Sequence, residues 1–153
     1  MKKVLIAVDD SKGSQVTIDT FAGLFSCTRP EAVVLLYVEK IEGKSLMDDM
    51  LGMAELSTLK EQLQGTAYQD MLDKKARTVL EHFKQELVRK GVTGIKTVVK
   101  QGHPADEVLT AAKEEGAEMI IIGSRGKRFH TFMMGSVSRE IANRAEVPVL
   151  IAR

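Results

Sequence analysis

Four short, continuous apolar runs most constrain what this chain can fold into: "KVLIAVD" (3–9), "AVVLLYVE" (32–39), "EMIIIG" (118–123) and "VPVLIAR" (147–153). Runs of this length without polar alternation suit strands buried on both faces, the condition met inside a parallel sheet covered by helices. A fifth segment, "GIKTVVKQG" (94–102), alternates more and fits an edge position. Helical patterns lie between the runs. Ser11 is placed to cap a helix carrying Ile18, Phe21, Ala22 and Phe25 on one side. A longer helix from about Thr66 to Lys90 presents Tyr68, Leu72, Ala76, Val79, Leu80, Phe83 and Leu87 as one stripe, and Gly91 supplies the stop. A third has Pro104 in its first turn, Val108, Leu109 and Ala112 on one face, and Gly116 at its end. The last starts near Ser136.

Strands alternating with helices of this length imply parallel strands joined by right-handed crossovers. The expected fold is an α/β, three-layer α/β/α sandwich around a five-stranded, mostly parallel, doubly wound sheet with strand order 3-2-1-4-5. Ligands of such sheets bind beyond the carboxyl ends of the strands, where the winding reverses. Asp9, Val38 and Gly123 fall at such ends.

At 153 residues one domain spanning 1–153 suffices, and 28% charged with 44% hydrophobic residues suits a globular chain. Twenty-two Lys plus Arg against twenty-one Asp plus Glu leave a net charge of +1, which gives no electrostatic case for nucleic acid. The first apolar run stops at Asp9, too early for an export signal, and no later run approaches the ~20 residues of a membrane span. Cytoplasm is the expected compartment. The single cysteine, Cys27, fits a reducing compartment and reads as a small buried apolar residue. Residues 41–65, "IEGKSLMDDMLGMAELSTLKEQLQG", break the rhythm with methionines among acids and glycines and read as a flexible connection, expected to exchange amides quickly across Gly43 to Gly52.

The stretch "MIIIGSRGKRFHTFMMGSVSREIANR" (119–144) carries the chemistry. Gly123 and Gly126 follow a buried strand, and Gly135-Ser136 opens a helix. Glycines let backbone N–H groups approach a phosphate, and a helix N-terminus adds free donors and a positive dipole end. Ser136 has two roles open to it, capping the helix or donating its hydroxyl to phosphate. Tight turns alone would also account for the glycines. The pattern is neither a P-loop nor a dinucleotide fingerprint.

Through "VLIAVDDS", "LLYV", "QGHPADEVLTAAKEEGAEMIIIGSRG" and "GSVSREIANRAEVPVLIAR" the chain resembles the universal stress protein family, small α/β proteins that bind adenine nucleotides or lack them. The nucleotide-binding branch has the signature Gly-x2-Gly-x9-Gly-Ser/Thr/Asn, whose places are held here by Gly123, Gly126, Gly135 and Ser136. The resemblance implies that Gly126, Gly135, Ser136 and Val137 meet phosphates, that Asp9 meets the ribose side, and that Val38 offers its backbone to adenine. Ala7, Ile122, Gly123 and Arg125 complete the nucleotide-binding set, with ATP, alone or with Mg²⁺, as the ligand. One departure stands out: only eight residues, Lys127 to Met134, separate Gly126 from Gly135.

Arg125 is a candidate to balance phosphate charge, whereas Lys127 and Arg128 equally suit a solvated basic loop. Asp9 and Asp10 form an acid pair that could meet Mg²⁺ through phosphates, although Asp10 reads better as a loop residue without a ligand. His82, His103 and His130 belong to no recognisable metal or nucleophile pattern along the sequence, so no metal ligand is assigned. No general base is set beside an attacking water, so the chain reads as a regulatory binder with at most slow ATP hydrolysis. A nucleotide-free homodimeric module of the same fold and an adenylyl-handling transferase are the rival functions. The short apolar final strand, Val147 to Ala152, predicts an edge covered by a second copy, as the resemblance also implies; a further protein partner stays unidentified.

Overall fold

A computed structural model describes residues 1–40, 67–124 and 134–153. The expectations for the 41–65 connection, for Arg125 and Gly126, and for the basic loop up to Met133 therefore lie outside the described residues. The elements run β1 (Lys3–Val8), α1 (Lys12–Leu24), β2 (Ala32–Glu39), α2 (Ala67–Arg89), β3 (Ile95–Gln101), α3 (Pro104–Glu115), β4 (Met119–Gly123), α4 (Ser136–Arg144) and β5 (Val149–Ala152).

All five strands pair in parallel in the order β3-β2-β1-β4-β5, so the sheet is wholly rather than mostly parallel. Alternation along the strands sorts their side chains into two cores. Val4, Ile6, Val33, Leu35 and Ile121 pack with Ile18 and Phe21 of α1 and with Ala76, Leu80, Phe83 and Leu87 of α2. Leu5, Val34, Leu36, Ile120 and Ile122 pack on the opposite face with Ala105, Val108, Ala111 and Ala112 of α3 and Ile141 of α4. Each central strand thus feeds both cores, which is why its run carries no polar position. β3 is an edge, and its residues are half-buried or exposed, with none fully buried.

The helix stops follow from glycine. Gly91 and Gly116 adopt φ of 79° and 63°, conformations that a Cβ opposes, and the Gly116 N–H closes α3 onto Ala112 and Lys113 carbonyls. Two expectations need correction. Cys27 is exposed in the turn after α1, because the apolar stripe of that helix ends at Phe25 and leaves the following residues in solvent. Ser136 does not cap α4: Gly135 is the N-cap and Ser136 is the first helical residue.

Candidate functional site

The sheet opens where its winding reverses. The register between β1 and β4 ends at Ile6↔Ile121, whereas β4 and β5 remain paired to Gly123↔Ala152. Ala7 and Val8 therefore part from Ile122 and Gly123 at the carboxyl end, producing the crevice expected at a topological switch point. On the other side of β1, pairing to β2 ends at Val8↔Tyr37 while β2 continues with β3 to Glu39↔Gln101. Val38 stands one residue past the last β1–β2 register pair, at the carboxyl end of the ladder.

Ala7, Val38, Ile122 and Val137 all belong to or pack against the core on the α3/α4 face. Asp9 lies just past β1 and is held rather than free. Its Oδ1 accepts the Ser11 N–H at 2.8 Å, the Ser14 hydroxyl at 2.8 Å and the Ser11 hydroxyl, while its own N–H donates to Ser14 Oγ at 2.7 Å. Among the described residues no hydrogen bond engages Oδ2, which leaves one oxygen of an oriented carboxylate for a ligand hydroxyl. Asp10 pairs with Lys75 at 2.9 Å, so the two adjacent acids diverge instead of forming a cation cradle.

The α4 N-terminus faces the same end of the sheet. Gly135 N–H donates to Ser124 O at 2.8 Å, Ser124 N–H to Ala152 O at 2.8 Å, and the Ser138 hydroxyl to Gly123 O at 2.8 Å. These bonds fasten the helix start to β4 and β5. Gly135 thus contributes space rather than a donor. The Arg139 N–H donates to Gly135 O, and among the described residues no carbonyl one turn earlier pairs with the N–H groups of Ser136, Val137 and Ser138. No acidic residue stands in this first turn, and Arg139 reaches back to the Met134 carbonyl at 3.4 Å. A cation beside a helix N-terminus opposes the dipole unless an anion joins them, so this end is built for negative charge.

Gly123 has a different reason from Gly135. A Cβ on Gly123 would stand 3.0 Å from Gly13 O and 3.2 Å from Thr17 Oγ1, so the glycine lets α1 lie against β4. A Cβ on Gly135 would meet Ser124 O at 3.4 Å and Ser138 Oγ at 3.9 Å, ordinary contacts that the fold itself tolerates.

Sequence reasoning missed Ser14, Ser138 and Arg139, whose roles appear only when the loops and helix ends meet. It also missed Glu39, buried on the α1/α2 face at the end of β2 with Oε1 lacking a hydrogen-bond partner among the described residues. Burial first, and the Asp73 carboxyl second, push the Glu39 carboxyl above the usual glutamate range; Gln69 bonds Glu39 Oε2 at 3.4 Å and Asp73 Oδ1 at 3.0 Å. The acid after the β2 run was legible, but not its enclosure by α2.

Fold and site together define a doubly wound α/β protein with a helix N-terminus at the carboxyl end of its sheet, where the winding reverses. The family model for the "Universal stress protein family" matches residues 1–153, and the chain belongs to that family. Over 99% of its length it is 28% identical to universal stress protein MJ0577 of Methanocaldococcus jannaschii, covering 94% of that protein. It is 29% identical to universal stress protein YxiE of Bacillus subtilis, with 99% of this chain and 98% of that protein covered. The solved structure of MJ0577 superimposes with a TM-score of 0.77 at 24% identity, over 99% of this chain and 94% of that one. The same fold occurs in a universal stress protein in complex with cAMP (TM-score 0.63, 16% identity, 99% and 96% covered) and in one from Archaeoglobus fulgidus in complex with dAMP (TM-score 0.60, 18% identity, 100% and 98% covered).

Proposed function

We propose that this chain, acting as one unit over residues 1–153, is a cytoplasmic stress-response protein that binds ATP or another adenine nucleotide and is regulatory rather than strongly catalytic. The observation that carries the reading is the α4 N-terminus, where among the described residues no carbonyl pairs with the Ser136, Val137 and Ser138 N–H groups and no acid stands in the first turn. Phosphates would lie at Ser136 and Val137, with the Ser136 hydroxyl free to join because it does not cap the helix. Gly126 and Arg125 would close over them. Val38 would offer its backbone to adenine, and Asp9 its Oδ2 to the ribose. Ala7, Ile122 and Gly123 would form the floor. The cAMP and dAMP complexes of fold relatives are consistent with this ligand class.

Any Mg²⁺ would be carried by the phosphates, since Asp9 Oδ1 is saturated by serines and Asp10 is paired with Lys75. Hydrolysis, if any, would be slow. A homodimer formed through Val147 to Ala152 would cover the β5 edge, where Val149, Leu150 and Ile151 are only half-buried. Among the described residues no helix is long and apolar enough to cross a membrane. Mass spectrometry of the small molecules released on denaturing freshly purified protein tests the reading. An adenine nucleotide released in stoichiometric amount supports it. A ligand-free protein that also fails to take up added ATP would favour the nucleotide-free dimer, with the eight-residue loop filling the site.

A further inference from the structure

At the carboxyl end of the sheet, beside the α4 terminus but outside the crevice, three side chains from two helices converge. His103 is the N-cap of α3 yet makes no side-chain capping bond, so its ring is free to face α4. Asp106 lies in the first turn of α3 and Glu140 on α4. One ligand atom from each lies within 4.8 Å of the other two.

Arg144 organises the carboxylates. One guanidinium nitrogen donates to Asp106 Oδ1 at 2.7 Å and to Glu140 Oε1 at 2.6 Å. That bond holds the Asp106 carboxyl below its usual range and keeps it ionised. The remaining oxygens turn to the imidazole: Asp106 Oδ2 is 3.4 Å from Nδ1 and Glu140 Oε2 is 3.7 Å from Nε2. Both separations exceed a good N–H···O hydrogen bond. Only one of the two ring nitrogens can ligate an ion, and one ligand atom from each of the three residues lies close enough to the other two to share one.

We propose that His103, Asp106 and Glu140 form a divalent transition-metal site, best suited to Zn²⁺, with Arg144 positioning the two carboxylates. One imidazole and two carboxylates form a borderline donor set that favours zinc over magnesium or calcium. Three protein ligands leave the fourth position to water. A slight turn of the imidazole brings one nitrogen to the metal, and the other stays in solvent. The bound ion would join α3 to α4 and so brace the helix whose N-terminus lies at the crevice.

The test uses the whole chain, stripped with a chelator and free of nucleotide, so its outcome is independent of ATP binding. Zn²⁺ is titrated by calorimetry, and Co²⁺ by the visible absorption of a tetrahedral centre. The expected result is one ion per chain, with affinity lowered at least about tenfold in His103→Ala and in Glu140→Gln, both folded by circular dichroism. Cys27→Ser should bind as the wild type does. No saturable binding in the wild type overturns the proposal. So does unchanged affinity in His103→Ala and Glu140→Gln, or loss confined to Cys27→Ser.

Discussion

Replacing Gly123 by Val tests whether that glycine serves packing. The new Cβ would stand 3.0 Å from Gly13 O, 3.2 Å from Gly13 C and 3.2 Å from Thr17 Oγ1. Comfortable carbon contacts lie near 3.5–4.0 Å, so α1 would have to retreat by about 0.5 Å from β4. Its obstacles are mainly backbone and cannot rotate aside; Thr17 is itself fixed by its hydroxyl bond to Gly13 O at 2.7 Å. Overpacking of this kind costs about 1–3 kcal/mol, and the two γ carbons of Val place it near the upper end. Loss of glycine freedom in the unfolded chain returns up to about 1 kcal/mol. The net destabilisation should be about 2 kcal/mol, a fall in Tm of about 4–8 °C. Gly135→Asn is the control, because its Cβ meets only ordinary contacts and Asn is a favoured N-cap, so stability should stay within about 0.5 kcal/mol. Urea unfolding followed by circular dichroism measures both. A Gly123→Val protein as stable as the wild type, or a Gly135→Asn protein equally damaged, would refute the separation of roles.

Glu39→Gln addresses the buried acid: its folded-state pKa is raised, so the native protein holds a proton that the unfolded chain releases, and stability falls as pH rises through the raised value. The variant should therefore gain on the wild type at about pH 8 and lose that advantage near about pH 4, below the ordinary glutamate value, in paired urea melts. An advantage independent of pH would contradict this. Ser138→Ala removes the bond to Gly123 O and should cost about 1 kcal/mol while weakening nucleotide binding, because the α4 start loses a tether; unchanged calorimetric affinity would argue against that coupling. Light scattering at micromolar concentration should return a dimer mass, and a monomer mass would dismiss the β5 interface.

The fold was largely legible because its signals were local and mutually consistent. Each central run is apolar throughout, each helix has one stripe, and Gly91 and Gly116 stop helices where expected. Val38, Asp9 and Gly123 were legible as strand-end residues because doubly wound topology sends strand ends to one rim. What sequence could not supply was the meeting of distant groups. The closing of Ser11 and Ser14 on Asp9, and of α1 on Gly123, appears only in the folded chain. The partners of His103 sit partly on another helix, beyond any local spacing rule. Cys27 was misread because a composition preference for burial says nothing about where an apolar stripe ends.

Nucleotide binding itself is tested most directly by calorimetric titration of ATP into the wild type, Gly126→Val and Ser136→Ala, with folding confirmed in each. The wild type should bind one ATP per chain. Gly126→Val should weaken binding at least about a hundredfold, since losing two or three charge-assisted hydrogen bonds costs ~1.5–3 kcal/mol each. Ser136→Ala should cost less, because the helix N–H donors remain. Equal affinity in folded Gly126→Val, or no binding of any adenine nucleotide by the wild type, would contradict the phosphate cradle.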